Sequence, residues 1–157
     1  LRLALWPSPE AARAGMLRGL EHAEIVKLSR EELAFLTGSS DPAAARQLWH
    51  ERLQLLVVTL GAAGCAYLTP QEDGEVPGFT VPVVDTTGAG DGFVAGLLVG
   101  LLEQGLDWSK RAVEQALRLA NAVGALVCTR RGAIPALPTR RQVQRLLTMS
   151  GDVSRHE

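Results

Sequence analysis

The chain has few of the residues that mark several classes of protein. Its 157 residues include two cysteines, Cys65 and Cys128, which lie far apart and outside any CxxC or Cys/His cluster. A disulfide scaffold and a zinc site are therefore not expected, and a reducing cytoplasm is the predicted location. The longest apolar run, from Phe93 to Leu102, is too short to cross a bilayer and predicts a buried core helix.

Neither sign of charge is in excess. Sixteen Lys and Arg residues stand against seventeen Asp and Glu residues, which gives a formal net charge of -1. Such a surface has no overall field that recruits nucleic acid or a membrane, so an anionic ligand has to be held by local groups. The chain is 46% hydrophobic, enough for one sizeable core. Because it opens on Leu1 without a Met, we expect it to be a fragment.

Helical and strand patterns alternate along the chain. Helices are predicted at 9–22, 30–37, 42–52, 93–103, 108–127 and 140–147, and strands at 25–28, 55–60, 65–69 and 79–84. Ser29 with Glu32, and Thr139 with Gln142, fit capping boxes at helix starts. The alternation predicts an α/β fold with a mostly parallel sheet, helices on both faces and one antiparallel excursion around residues 65–84.

The stretch Asp-Thr-Thr-Gly-Ala-Gly-Asp at residues 85–91 is the most informative part of the sequence. It lies between a predicted strand and a predicted helix. Gly88 and Gly90 permit close backbone approach, and the helix directs unpaired N–H groups and its positive dipole end at the loop, which makes an anion-binding concavity. Phosphoryl transfer also needs an acceptor for the proton of the attacking hydroxyl, and Asp91 is placed for that task.

Structural alternatives compete with this interpretation. In one alternative, Asp91 serves only as a helix cap, and in another, residues 85–88 form only a tight turn. On composition alone the helix cap is favoured, because short glycine motifs often match by chance. A Rossmann dehydrogenase is disfavoured because the loop lacks the Gly-x-Gly-x-x-Gly spacing. A P-loop ATPase is excluded because the sequence contains no Gly-Lys-Ser/Thr.

The segment from Asp85 to Gly96 resembles the second signature of the ribokinase family, also called the PfkB carbohydrate kinases. Segments 27–38, 58–64 and 129–135 match further family motifs in the family's order. The resemblance runs from Leu1 to about Leu147 and implies a three-layer ribokinase-like fold. Residues 1–149 would then be its C-terminal ATP-binding and catalytic part, without the lid, and residues 150–157 a flexible tail.

The resemblance implies roles for residues along the nucleotide. The family's catalytic base matches Asp91, and its anion hole is formed by backbone amides that match Gly88, Ala89 and Gly90. The ATP phosphates and ribose lie along residues that match Thr59, Gly61 and Gly64. An ordinary strand-to-turn junction explains those last three residues equally well, and by itself is the favoured explanation.

The resemblance also implies metal ions. In the family, Mg²⁺ accompanies ATP, and the residue that matches Glu32 contacts it through water. The family's usual Asn is replaced here by Ser29. A capping box alone explains both Ser29 and Glu32. A monovalent cation, usually K⁺, is implied beside the anion hole, held by oxygen atoms of Asp85, Thr87, Val127, Arg130 and Gly132. Ala136 stands where one family pattern has a hydroxyl, which leaves activation by K⁺ open.

The substrate and the adenine pocket are less constrained by the sequence. Asn121 either lines the adenine pocket or is a polar residue on a solvated or helix-packing face. Residues 1–8 resemble a segment of fructokinases, which favours ATP-dependent conversion of fructose to fructose 6-phosphate. The alternative is 2-keto-3-deoxygluconate kinase or another PfkB sugar kinase. A homodimer through the missing N-terminal half and a non-catalytic nucleotide-binding fragment are the remaining hypotheses, and no nucleic-acid or membrane partner is expected.

Overall fold

The computed structural model describes residues 2–149, so the tail predicted at 150–157 lies outside the described residues. Within them, helices and strands follow in this order: α1 (Pro9–Leu20), β1 (Ile25–Ser29), α2 (Arg30–Thr37), β2 (Leu55–Thr59), β3 (Gly64–Leu68), β4 (Asp73–Pro77), α3 (Ala89–Glu103), α4 (Lys110–Val127) and α5 (Arg140–Met149). Short 3-10 helices lie at Leu3–Leu5, Pro42–Leu48, Gly61–Ala63 and Ile134–Ala136. None of the helices in residues 2–149 combines the length and apolar character needed to cross a membrane.

The predicted capping boxes are confirmed. The Ser29 hydroxyl accepts the Glu32 amide at 3.1 Å, and the Glu32 carboxylate accepts the Ser29 amide at 2.7 Å. The Thr139 amide donates to the Gln142 side chain at 2.8 Å, and the Gln142 amide donates to the Thr139 hydroxyl at 3.4 Å. These bonds satisfy donors that the first turns of α2 and α5 leave without intrahelical partners. Gly38, with φ 82°, ends α2 in the left-handed conformation.

The four strands form one mixed sheet in the order β1-β2-β3-β4. Strands β1 and β2 are parallel, with Ile25 opposite Leu55 and Ser29 opposite Thr59. The connections from β2 to β3 and from β3 to β4 are too short for a parallel crossover, so both pairs are antiparallel. The predicted α/β class is confirmed. The sheet of residues 2–149 is mixed, with one parallel pair and two antiparallel pairs, whereas a mostly parallel sheet with one antiparallel excursion around residues 65–84 was predicted.

Three predicted elements need correction. The strand predicted at 79–84 is wrong: the strand in this region is β4, and Phe79 and Val81 instead pack in an apolar cluster with residues of α4 and α5. Pro82 has no amide hydrogen to donate to a strand ladder, which explains why the apolar pattern does not become a strand. The helix predicted at 42–52 is the shorter 3-10 helix Pro42–Leu48, and α3 begins at Ala89 rather than at Phe93.

The chain divides into two compact units. One contains the residues up to Leu60 and Ala66–Glu75; the other contains Gly61–Cys65 and the residues from Val76 onward. The core of the first unit is made of buried aliphatic side chains of β1, α2, β2 and their neighbours: Val26, Leu28, Leu33, Leu36, Ala45, Leu53, Leu56, Val58 and Leu68. The second unit carries the loop at residues 85–91 and helices α3 to α5.

Helices α3 and α4 approach closely because α3 presents glycine every four residues. A Cβ atom added to Gly96 would lie 2.9 Å from the Ala120 Cα, and one added to Gly100 would lie 2.7 Å from the Ala116 Cα. One added to Gly92 would lie 2.8 Å from a side-chain methyl group of Val127. A larger residue at these positions would force the helices apart, so the Gly92, Gly96 and Gly100 stripe fixes the position of α3 on α4.

Candidate active site

The segment that leads into the 85–91 loop is fixed by the end of α4. The amides of Val84 and Asp85 donate to the Cys128 carbonyl at 2.8 and 3.2 Å. Cys128 follows the last residue of α4, where carbonyls lack intrahelical donors. These hydrogen bonds give the carbonyl at the end of α4 its donors, and they fix the position at which the loop begins.

The Asp85 side chain joins two loops. One carboxylate oxygen accepts the Thr87 amide at 2.9 Å, within the 85–91 loop, and the other accepts the Gly132 amide at 2.9 Å, in the segment after α4. These two amides, that of Gly132 first, lower the pKa of Asp85 to about 2, with a small contribution from Arg131. Asp85 is thus ionised at neutral pH and cross-links residues 85–88 to residues 129–133.

Gly88 is required at its position for two reasons. Its φ of 80° is a left-handed value that residues with a Cβ rarely adopt. In addition, an added Cβ would lie 2.6 Å from the Ala133 Cβ and 2.9 Å from the Ala133 Cα. Gly88 is the N-cap of α3, so this contact with Ala133 fixes where the helix begins.

The first amides of α3 face the loop, as helix geometry requires. The Ala89 amide donates to the Thr86 carbonyl at 3.1 Å and the Gly92 amide to the Gly88 carbonyl at 2.8 Å. Among residues 2–149, the amides of Gly88, Gly90 and Asp91 have no backbone acceptor. Two of the three amides predicted for the anion hole are therefore available to a ligand, whereas an anion at Ala89 would have to share or replace the bond to Thr86.

Asp91 occupies the third position of α3 and is exposed. Within residues 2–149, its carboxylate makes no hydrogen bond or ion pair. The N-cap is Gly88 instead, so the interpretation of Asp91 as a capping residue has no hydrogen bond to support it. The carboxylate lies in the first turn of a helix whose first amides can bind an anion.

The residues predicted around a monovalent cation lie in the same two loops. Asp85 and Thr87 belong to one, and Val127, Arg130 and Gly132 to the other, which the Asp85–Gly132 bond ties to it. The Arg130 amide donates to the Val127 carbonyl at 3.4 Å, and Gly132 has a left-handed φ of 84°. Carboxylate and main-chain carbonyl oxygens are ligand types that suit a hard cation, so the types of residue present fit the predicted ion.

Two predicted residues of the first unit lie where β1 and β2 end. Thr59 is the last residue of β2 and is paired with Ser29 of β1, and its hydroxyl donates to the Leu28 carbonyl at 3.3 Å. Since β1 and β2 are parallel, their carboxyl ends share one edge of the sheet, where ligands bind in open α/β sheets. One Glu32 oxygen is already used in the capping box, which gives Glu32 a structural function whether or not it assists a metal.

Three further predicted residues lie in the second unit. The Asn121 amide nitrogen donates to the carbonyls of Val76 and Pro77 at 3.1 and 3.2 Å, and Asn121 is 7% exposed. This favours the helix-packing interpretation of Asn121. Gly64 has φ 107° and lies against the backbone of β4, so it too has a structural reason to be glycine, whereas Gly61, with φ 62°, has open space around it.

Cys128 and Ala133 were not predicted as site residues, although they hold the loop in place. Cys128 acts through its carbonyl, and no side-chain pattern signals a main-chain contact. Burial, and secondarily the charge of Asp85, raises the pKa of the Cys128 thiol, which disfavours the reactive thiolate form. Ala133 follows Gly132 in the motif at 129–135, and its small size beside Gly88 could have been read as a packing requirement.

These features together define a class of protein. An α/β chain has a loop that carries a fixed, ionised aspartate, a left-handed glycine and a helix N-terminus with available amides. A second, unpaired aspartate follows in the first helical turn. Such a loop has the main-chain donors that suit a bound phosphate group, with a carboxylate nearby.

Comparison with known proteins gives the family. The model of the pfkB family carbohydrate kinase matches residues 1–140, and the chain belongs to this family. It is 51% identical over 150 residues to the probable fructokinase-4 of Arabidopsis thaliana, which covers 94% of this chain and 46% of that protein. The chain therefore spans a little under half the length of this curated relative.

Solved structures agree on the ribokinase-like fold. The Xylella fastidiosa fructokinase with bound ATP has a TM-score of 0.86 and 37% identity, over 96% of this chain and 50% of that one. The Vibrio cholerae O395 fructokinase, solved with fructose, ADP and a calcium ion, has a TM-score of 0.81 and 37% identity, over 94% of this chain and 48% of that one. The predicted fold and family are confirmed.

Proposed function

We propose that this chain is the ATP-binding and catalytic part of a kinase that transfers the γ-phosphate of ATP to a hydroxyl of fructose. Asp91 accepts the proton of the attacking hydroxyl, and the amides of residues 88–90 stabilise charge on the transferred group. The probable fructokinase at 51% identity supports the substrate, and the Xylella fructokinase with bound ATP supports the nucleotide. 2-Keto-3-deoxygluconate remains the alternative sugar.

The unpaired state of Asp91 is the observation that carries the proposal. Residues 2–149 contain five aspartates, and Asp41, Asp73, Asp85 and Asp107 each accept a hydrogen bond that organises or links nearby structure. Asp91 accepts no hydrogen bond within residues 2–149, although it lies in the first turn of α3. A carboxylate kept free of partners beside available amides is what a general base for phosphoryl transfer requires.

Two ions belong to this proposal. Mg²⁺ would accompany the phosphates of ATP, with Glu32 near it through water, and would neutralise their charge. K⁺ would be held by oxygens of Asp85, Thr87, Val127, Arg130 and Gly132, and would add positive charge beside the anion hole. Because the Asp85 carboxylate already fixes the two loops to each other, these residues supply an ordered set of oxygens.

The proposal can be tested in a chimera that restores the length of the relatives. The amino-terminal half of the Vibrio cholerae fructokinase is joined to this chain, and ATP consumption is measured with fructose, ribose, 2-keto-3-deoxygluconate or no sugar, with and without K⁺. We expect fructose-dependent turnover that falls about 100- to 10,000-fold in Asp91→Asn, the range for loss of a general base. Binding of ATP should survive this substitution.

The matched control is Asp73→Asn, which makes the same change of charge at an exposed ion pair with Arg46. It should leave turnover within about twofold of the parent, since surface ion pairs contribute little. Equal turnover in Asp91→Asn and Asp73→Asn would reject Asp91 as the base. A folded chimera that binds ATP but has no sugar-dependent turnover would favour the non-catalytic alternative.

A homodimer and a cytoplasmic location belong to the proposal as predictions. Dimerisation is expected to involve the half of the fold that lies outside this chain, so it is measured on the chimera by sedimentation. A dimer that persists in this chain alone would contradict that expectation.

A further inference from the structure

The sequence around the 85–91 loop is acidic and contains no basic residue. Residues 53–109 include neither Lys nor Arg, although they contain the loop itself and the glycines at 61 and 64. The acidic residues of this stretch are Glu72, Asp73, Glu75, Asp85, Asp91, Glu103 and Asp107. Carboxylates beside the loop repel a polyphosphate, and the first turn of α3 offers only partial positive charge. A full positive charge from the protein has to come from another part of the chain.

The segment after α4 brings such a charge to the loop. The Gly132 amide donates to the Asp85 carboxylate at 2.9 Å, and a Cβ added to Gly88 would lie 2.6 Å from the Ala133 Cβ. Residues 129–133 are therefore held against the start of α3, within the second unit. Arg131 directly precedes Gly132 and is exposed. The fold thus places an arginine beside a loop that has no basic residue of its own.

The charge of Arg131 reaches the loop, and its donors are available. The amides of Gly132 and Thr87 are the main causes of the lowered pKa of Asp85, and the charge of Arg131 adds to them. The guanidinium is therefore close enough to act electrostatically on the loop. In the part of the chain that the structure describes, the Arg131 side chain makes no hydrogen bond or ion pair. Its N–H donors are free to bind a ligand.

We propose that Arg131 binds the terminal phosphates of ATP and thereby determines the affinity of the site for the nucleotide. A guanidinium is always charged, and its planar fork matches two phosphate oxygens at once. Its charge would offset the negative charges of Asp85 and Asp91, which otherwise oppose a polyphosphate at this loop. The inference rests on the proposed function, because it takes the phosphates of ATP to lie at residues 88–90.

Nucleotide binding to the chain tests this role directly. ATP and AMP, each with Mg²⁺, are titrated into the parent and into Arg131→Gln by isothermal titration calorimetry. We expect the dissociation constant for ATP to rise about 10- to 100-fold in Arg131→Gln, the loss that follows removal of a charged hydrogen-bond partner. The dissociation constant for AMP should stay unchanged, because AMP has no terminal phosphates to lose this contact.

Two further variants separate the position of the charge from its mere presence. Arg141→Gln removes the same charge from an exposed residue of α5 and should leave both dissociation constants unchanged. Arg131→Lys keeps the charge without the fork, so it should bind ATP more tightly than Arg131→Gln does. Urea unfolding followed by circular dichroism checks that Arg131→Gln remains folded.

Several results would overturn the inference. If Arg131→Gln binds ATP as tightly as the parent does, or Arg131→Lys binds it no better than Arg131→Gln, the charge of Arg131 does not hold the phosphates. An equal loss of affinity for ATP and AMP would assign Arg131 to the structure of the loop instead. A parent chain that does not bind ATP would overturn both this inference and the proposed nucleotide. Because binding is measured without sugar, failure of turnover would count only against the proposed catalytic function.

Discussion

Substitution of Gly88 by alanine should destabilise the second unit through two physical effects, the cost of a left-handed backbone and a steric clash. The left-handed φ of 80° costs a residue with a Cβ about 1–2 kcal/mol. The new Cβ would also lie 2.6 Å from the Ala133 Cβ, and forcing a methyl group into an occupied contact costs about 1–3 kcal/mol more. We therefore expect Gly88→Ala to lower the free energy of unfolding by about 2–5 kcal/mol.

The matched control is Gly105→Ala in the same unit. Gly105 has φ 66° and nothing within 4 Å of an added Cβ, so it reports the backbone cost alone, about 1–2 kcal/mol. The measurement is urea unfolding followed by circular dichroism. With a slope of about 2 kcal/mol per molar urea, the two variants should differ in midpoint by about 1 M.

A double variant locates the source of the difference. Ala133→Gly removes the nearest of the atoms that an added Cβ at Gly88 would meet, while the Ala133 Cα at 2.9 Å remains. Gly88→Ala combined with Ala133→Gly should therefore recover part of the lost stability, and the coupling should exceed about 0.5 kcal/mol. If Gly88→Ala and Gly105→Ala are equally destabilising, or the coupling is zero, the contact between the two loops does not constrain Gly88.

Two further predictions concern the bonds that hold the site. Asp85→Asn should lower the urea midpoint at pH 7, because an amide has one acceptor oxygen for the two amides of Thr87 and Gly132. Folding lowers the pKa of Asp85 to about 2, so the stability that the ionised carboxylate contributes is present above about pH 4 and is lost as the pH falls towards 2. The urea midpoints of Asp85→Asn and the parent should therefore converge near pH 2. A constant difference between the midpoints down to pH 2 would refute these two hydrogen bonds. Asn121→Leu should cost about 1–3 kcal/mol in the same assay, because it removes the donor to the Val76 carbonyl in a buried contact and to the Pro77 carbonyl in a partly buried one, and an unchanged midpoint would contradict the helix-packing function.

The fold was predictable where local chemistry alone decides the structure. The capping boxes at Ser29 and Thr139 need only a hydroxyl and a carboxylate or amide three residues apart, and both formed. The prediction failed at residues 79–84, where an apolar pattern fits a strand and equally a segment packed on helices. Only the tertiary partners of Phe79, in α4 and α5, decide between these, and they lie about 40 residues or more away in sequence.

The candidate site was predictable from its side chains and much less from its main chain. Asp85, Gly88 and Asp91 stand out as residues whose type has a chemical meaning in a glycine-rich loop. The Cys128 carbonyl, which holds the loop in place, belongs to a residue whose side chain carries no such meaning. The same limit applies to the start of α3: Ala89 and Gly90 are weak indicators of a helix, yet the left-handed N-cap at Gly88 begins it there.

The candidate site residues differ in whether their side chains also make hydrogen bonds that stabilise the fold. Asn121 and Glu32 both matched roles at the nucleotide, yet each makes bonds that the local structure needs, so loss of activity on their substitution would have two explanations. Asp91 differs, because residues 2–149 provide no bond that its removal would break. A loss of turnover in Asp91→Asn without a loss of stability is therefore attributable to chemistry, whereas the same loss in Glu32→Gln would have to be weighed against a weakened α2. Substitution of Asp91 is therefore the most direct test of the proposed mechanism.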